Sequence, residues 1–183
     1  MDKDMINEVV NKVNEDVEIL DGIVYDVVNR YTEELDKIML NIKTDILEDT
    51  NPAINIIEKY FLELSSCLYF MCEKVEKLGL LDSMSKSNAQ ESYNTKYLEY
   101  QHSNSSPKKP TVAELTAISE SKSLYDRTVN DMYNKAYKIV KNKISSAETM
   151  ISTLSKILSH RIQESNLTQT QTSRQILNEG DLF

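Results

Sequence analysis

The chain has 183 residues, among them three glycines, three prolines and no tryptophan. Length allows one domain or two, and so few turn-forming residues exclude an all-β protein, a collagen-like chain and a Gly/Ser low-complexity chain. With 40% apolar residues, 27% charged residues and a net charge of −8, the composition suits long amphipathic helices with large solvated faces.

The first predicted element runs from about Asp4 to Leu47. Apolar residues recur at Ile6, Val10, Val13, Val17, Leu20, Val24, Val27, Tyr31, Leu35, Ile38, Ile42 and Ile46. Their mean spacing of about 3.6 residues is the period of a straight α-helix, and all twelve lie within about 60° of one line. Gly22 interrupts the helix at a cost of about 1 kcal/mol and is a candidate bend. Such a helix would span roughly 65 Å, longer than a compact domain of this size, and its narrow stripe points to a coiled coil or a helical assembly.

Thr50-Asn51-Pro52 reads as a break, with Asn51 as N-cap and Pro52 as first helical residue of the next helix. That helix carries Ile56, Ile57, Tyr60, Phe61, Leu64, Leu68, Met71, Val75 and Leu78, and Gly79 is placed to end it. Between Tyr60 and Cys72 it is apolar almost all round, which predicts burial on several sides. Cys67 and Cys72 are the only cysteines. Five residues apart, they point about 140° apart and should not bridge, so two buried thiols are expected. Asp82 or Ser83 could cap a third helix from Met84 to about Gln101, with Tyr93, Tyr97 and Tyr100 at packing spacing.

Residues 102–110 form the clearest linker, and Thr111 with Glu114 makes a capping-box signature. From there a helix is expected to run unbroken to about Glu164. Its seam is formed by Leu115, Ile118, Lys122, Tyr125, Val129, Met132, Ala136, Ile139, Val140, Ile144, Ala147, Met150, Leu154, Ile157 and Leu158. The polar stretch from Ser165 onward lacks periodicity and is expected to be flexible. The chain thus divides into a long acidic amphipathic helix (1–50), a buried helical core segment (51–101), a linker (102–110), a long basic amphipathic helix (111–164) and a flexible polar tail (165–183). The fold class is all-α: long amphipathic helices in a helical bundle or coiled-coil-like oligomer. No stretch is apolar enough to cross a membrane, and the first residues lack the pattern of a signal peptide, so a cytoplasmic location is expected.

Charge is uneven. Residues 1–100 carry 10 basic and 21 acidic side chains, whereas 122–161 carry eight basic and three acidic. No phosphate-cradling glycine loop, nucleophile with a placed histidine, or metal-ligand spacing is present, so no catalytic residue, metal or cofactor is expected and the chain reads as a binding or assembly protein. On a helical wheel of the last long helix, the face opposite the apolar stripe carries Arg127, Asn134, Lys138, Lys141, Asn142, Ser145 and Lys156, with Lys135 at its edge. Such a face can track a phosphate backbone, although exposed lysine on helices is commonplace and a merely solvated face is the plain alternative. Tyr133 and Tyr137 flank the basic residues and could stack on unpaired bases, whereas Tyr125 is expected to pack in the core. Lys143 and Arg161 fall inside the apolar stripe, where a charge must be paired or reach water. They could pair across an oligomer seam, set register or line a channel, with structural pairing favoured.

From Lys59 to Arg161 the chain resembles the UvsY-like recombination mediators of tailed phages, in the version found in phages of Gram-positive hosts. The resemblance is carried by KYFLELSSCLYFMCEKVEKLGL from Lys59, KKPTVAEL from Lys108 and AYKIVKNKISSAETMISTLSKILSHRI from Ala136. It implies an all-helical protein of the host bacterial cytoplasm, active in DNA recombination and repair. Such a protein forms homo-oligomeric rings, binds single-stranded DNA and helps a RecA-like recombinase displace single-strand-binding protein. The long acidic first helix and the polar tail depart from the compact family pattern. The end of the chain, Asn178-Glu179-Gly180-Asp181-Leu182-Phe183, is similar to the acidic C-terminal tip of bacterial single-strand-binding proteins. Two other readings compete. One is a structural or adaptor coiled coil, for example a phage assembly protein, that binds no nucleic acid. The other is an inhibitor that mimics nucleic acid with its acidic first helix.

Overall fold

The computed structural model describes the backbone of residues 3–49, 51–102 and 110–180, and side chains within 10–49, 51–102 and 110–168. All regular elements among the described residues are helical: α1 (Lys3–Ile42), a π-helical turn (Lys43–Leu47), α2 (Ile54–His102), α3 (Val112–Lys122) and α4 (Leu124–Gly180). They make two compact units. The first contains residues 1–31 and 72–141, the second 32–71 and 142–183, so α1, α2 and α4 each contribute a stretch to both.

The second unit has the larger apolar core. Leu35, Ile42 and Ile46 from the end of α1 and the π turn meet Ile57, Tyr60, Leu64, Cys67 and Met71 of α2 and Ala147 and Leu154 of α4. Each set recurs at intervals of three, four or seven residues, as a single buried helical stripe requires. Burial of α2 is confined to that stripe, and Leu62, Tyr69 and Phe70 stand exposed. The expectation of burial on several sides is therefore corrected: the three helices of the second unit leave the outer face of α2 uncovered. Cys67 is buried but Cys72 is exposed, for the same reason.

In the first unit, α2 and α4 run antiparallel, as three contacts show. Gly79 lies against Tyr137, Asp82 accepts from Asn134 at 3.2 Å, and Ser85 donates to Asn130 at 3.3 Å. Gly79 does not end α2, which continues to His102. The buried positions Val75, Leu78, Ser85 and Ala89 keep the helical stripe going through the glycine. An added methyl group at Gly79 would stand 3.3 Å from the Tyr137 ring, so this glycine serves a close helix approach rather than a C-cap.

Other boundaries also moved. Asn51 does not cap α2. Its amide donates to Asp49 Oδ1 at 2.9 Å, and the helix begins at Ile54, after the buried Pro52. The capping box at Thr111 and Glu114 is formed reciprocally, with the Thr111 hydroxyl accepting from the Glu114 amide and the Glu114 carboxylate accepting from the Thr111 amide. The helix that follows is broken at the buried Ser123, whose hydroxyl donates to the Ser119 carbonyl at 2.8 Å. Lys122, the one charge in the predicted seam, is exposed at this break. Residues 165–180, expected as a flexible tail, have helical backbone. No proline intervenes there, and upstream the hydroxyls of Ser146, Thr149, Ser152 and Thr153 donate to carbonyls four residues back and keep a Ser/Thr-rich helix satisfied. The predicted linker lies, apart from its ends, outside the described residues, as do the final three residues of the acidic tip.

Candidate nucleic-acid interface

The predicted DNA-binding residues all lie on α4, and the helices beside it decide which remain available. Lys135 donates to Asp21 Oδ1 of α1 at 2.9 Å. Tyr133 lines an apolar groove between α1 and α4. Tyr137 packs on Gly79 of α2. The polar side of the wheel is thus a second packing face, where Asn130 and Asn134 bond to Ser85 and Asp82 of α2.

Three cations of the first unit remain outward. Lys138 is exposed and, among the described residues, makes no ion pair. Lys141 is exposed with its ammonium 5.2 Å from the centroid of the Tyr137 ring, a cation–π distance that leaves the charge at the surface. Arg127 is exposed at the rim of a shallow hollow of about 320 Å³, beside Lys86 and Tyr93 of α2 and Glu120 of α3. Lys156 is exposed in the second unit. Sequence reasoning missed Lys86, because only the antiparallel packing of α2 brings it to Arg127. Glu120 tempers that corner, whereas Lys138 and Lys141 make no ion pair among the described residues.

The two charges inside the apolar stripe are paired within the chain. In the second unit the Lys143 ammonium donates to Asp36 Oδ2 at 2.5 Å and to Thr32 Oγ1 at 3.1 Å. The buried Thr32 hydroxyl in turn donates to Asp36 Oδ2 at 2.9 Å. Arg161 Nη1 lies 3.5 Å from Glu164 Oε2 on the same helix. Tyr125, expected in the core, is 78% exposed at the start of α4.

Among the described residues no group of three or more His, Cys, Asp or Glu is placed to hold a metal ion, and no helix is long and apolar enough to cross a membrane. In comparison with known proteins the chain matches no family model, no curated protein and no solved structure.

Proposed function

We propose that this chain is a non-enzymatic, self-associating protein that binds single-stranded DNA and serves as a recombination mediator, assisting a RecA-like recombinase against single-strand-binding protein. The observation that carries the DNA-binding part is the outward set Arg127, Lys138 and Lys141 on one helix whose other sides are packed. The mediator role rests on the sequence resemblance. Few phosphate contacts per chain make self-association part of the reading, since repeated sites multiply weak contacts through effective concentration.

The test is oligo-dT binding as a function of salt. The triple variant Arg127→Ala, Lys138→Ala, Lys141→Ala should bind more weakly, and the slope of log affinity against log salt should fall by about 2, about 0.7 for each lost contact. Unchanged affinity and slope would reject this face. A specific observation favours the adaptor reading as the second one: Leu62, Tyr69 and Phe70 form an exposed apolar patch on α2, of the kind that mediates protein contacts. Wild-type protein that associates but binds no oligo-dT at low salt establishes that second reading in place of the first.

A further inference from the structure

The N-terminal half of α1 is more apolar than its packing in the first unit uses. Val24 and Val28 are buried, at 3% and 5% exposure, yet Ile19 is 62% and Ile23 44% exposed. Ile19 and Ile23 are off the main stripe. At 100° per residue they share an arc of about 80° with Lys12, Asp16, Asp26 and Arg30, roughly 140° from the Val24–Val28 line. Ile23 also lines the open groove of about 720 Å³ between α1 and α4, with Leu124 and Tyr125 on the other wall. Lys12, Asp16, Asp26 and Arg30 are exposed or half-exposed, and none makes an ion pair among the described residues.

The order of these residues is self-complementary. Lys12 lies seven residues before Ile19 and Asp26 seven after it, both on the Ile19 side of the helix. An antiparallel copy of α1 centred on Ile19 therefore sets Lys12 against Asp26 at both ends and Ile19 against itself in the middle. A parallel, in-register copy would set Lys12 against Lys12 and Asp26 against Asp26, which is repulsive. We infer that α1 is a homodimerisation helix: a second copy of this chain packs its α1 antiparallel on this one about a two-fold axis at Ile19, and covers the groove between α1 and α4. A two-fold contact needs one surface that carries both partners of a pair, and this arc does so for Lys12 and Asp26 and for Ile19 with itself. The closed arrangement, two α1 and two α4 segments, covers Ile19 and Ile23, which a single chain leaves exposed.

This inference rests on the self-association within the proposed function and names the surface responsible. Its test is association measured by sedimentation for wild type, Lys12→Asp, Asp26→Lys and the double variant, with circular dichroism as the check on helix content. Each single swap should weaken association at least tenfold, and the double swap should restore it, because the pair is rebuilt with its signs reversed. Ile19→Cys in a Cys72→Ser background should cross-link to itself on oxidation. A wild-type protein that stays monomeric at high micromolar concentration overturns both this interface and the self-association reading. A wild type that associates while both swaps leave its association unchanged, or a double swap that does not restore it, overturns the α1 interface alone.

Discussion

Two buried or half-buried polar contacts in the second unit tie single residues to stability. The Tyr60 hydroxyl donates a short hydrogen bond to Asp45 Oδ2, and Tyr60 is otherwise buried. This bond to a carboxylate, with burial second, pushes the phenol up to about 12 from its ordinary value of 10.0. Because the folded state holds the proton more tightly than the unfolded chain, the contribution is complete below pH 10 and is lost as pH rises towards 12. Tyr60→Phe should therefore cost about 1 kcal/mol at pH 7. In urea titrations the gap between variant and wild type should close between pH 10 and 12; a gap independent of pH would refute the coupling. The second contact is Lys143 with Asp36 and Thr32. Both charged groups are partly solvated, so Lys143→Ala should lower stability by roughly 1 kcal/mol, whereas Lys138→Ala on the open surface should change it by less than about 0.5 kcal/mol. Equal effects in chemical denaturation would show that the Lys143 contact contributes nothing. The wheel placed Lys143 in the stripe, where the charge had to be paired or reach water; the partner's identity was not legible, because Asp36 lies more than a hundred residues away in sequence.

At the scale of elements, hydrophobic period was the most legible signal and helix ends the least. The apolar line of α1 fixed the helix type and, from Val24 onward, the buried side, whereas Val10, Val13 and Val17 on the same line are exposed in the single chain. Gly79 misled because a glycine after an apolar run is also the signature of a C-cap. What distinguished it was the stripe continuing at Ser85 and Ala89, two small residues that do not score as apolar core. The break at Ser123 was invisible for a related reason: a serine that bonds back to Ser119 disfavours a helix only slightly and leaves no strong breaker signal in the sequence. The two mid-helix glycines give a direct test. Nothing lies within 4 Å of a methyl group added at Gly22, so Gly22→Ala should raise stability by about 1 kcal/mol through helix propensity. Gly79→Ala gains the same propensity but must displace the Tyr137 ring, which stands 3.3 Å from the new methyl. Its net effect should be smaller than that of Gly22→Ala or opposite in sign. Thermal melts of the two variants decide it, and an equal gain at both sites would mean that Tyr137 yields freely.

For the whole molecule, a single apolar stripe per helix proved too simple a picture. The wheel of α4 gave one packed side and one free side, and on that basis seven residues were assigned to DNA. In the first unit α4 has neighbours on two sides, one apolar towards α1 and one largely polar towards α2, so Tyr133 and Tyr137 are drawn into packing and Lys135, though exposed, is paired with Asp21, while Arg127, Lys138 and Lys141 stay outward. A polar interface built from Asn130, Asn134, Asp82 and Ser85 looks in sequence like a solvated face. Ile19 and Ile23 of α1 and Tyr69 and Phe70 of α2 are exposed in the single chain, and on the proposed self-association their burial would draw part of the folding free energy from association. If the native form is a dimer, unfolding releases two chains, and mass action makes the melting midpoint depend on concentration. For about 180 residues, with an unfolding entropy of about 2.1 cal/mol/K per residue, a tenfold rise in concentration should raise the midpoint by about 2 °C. The Lys12→Asp variant should melt lower and lose most of that dependence in the same range. A wild-type midpoint that does not move over two decades of concentration would place all of the stability within one chain.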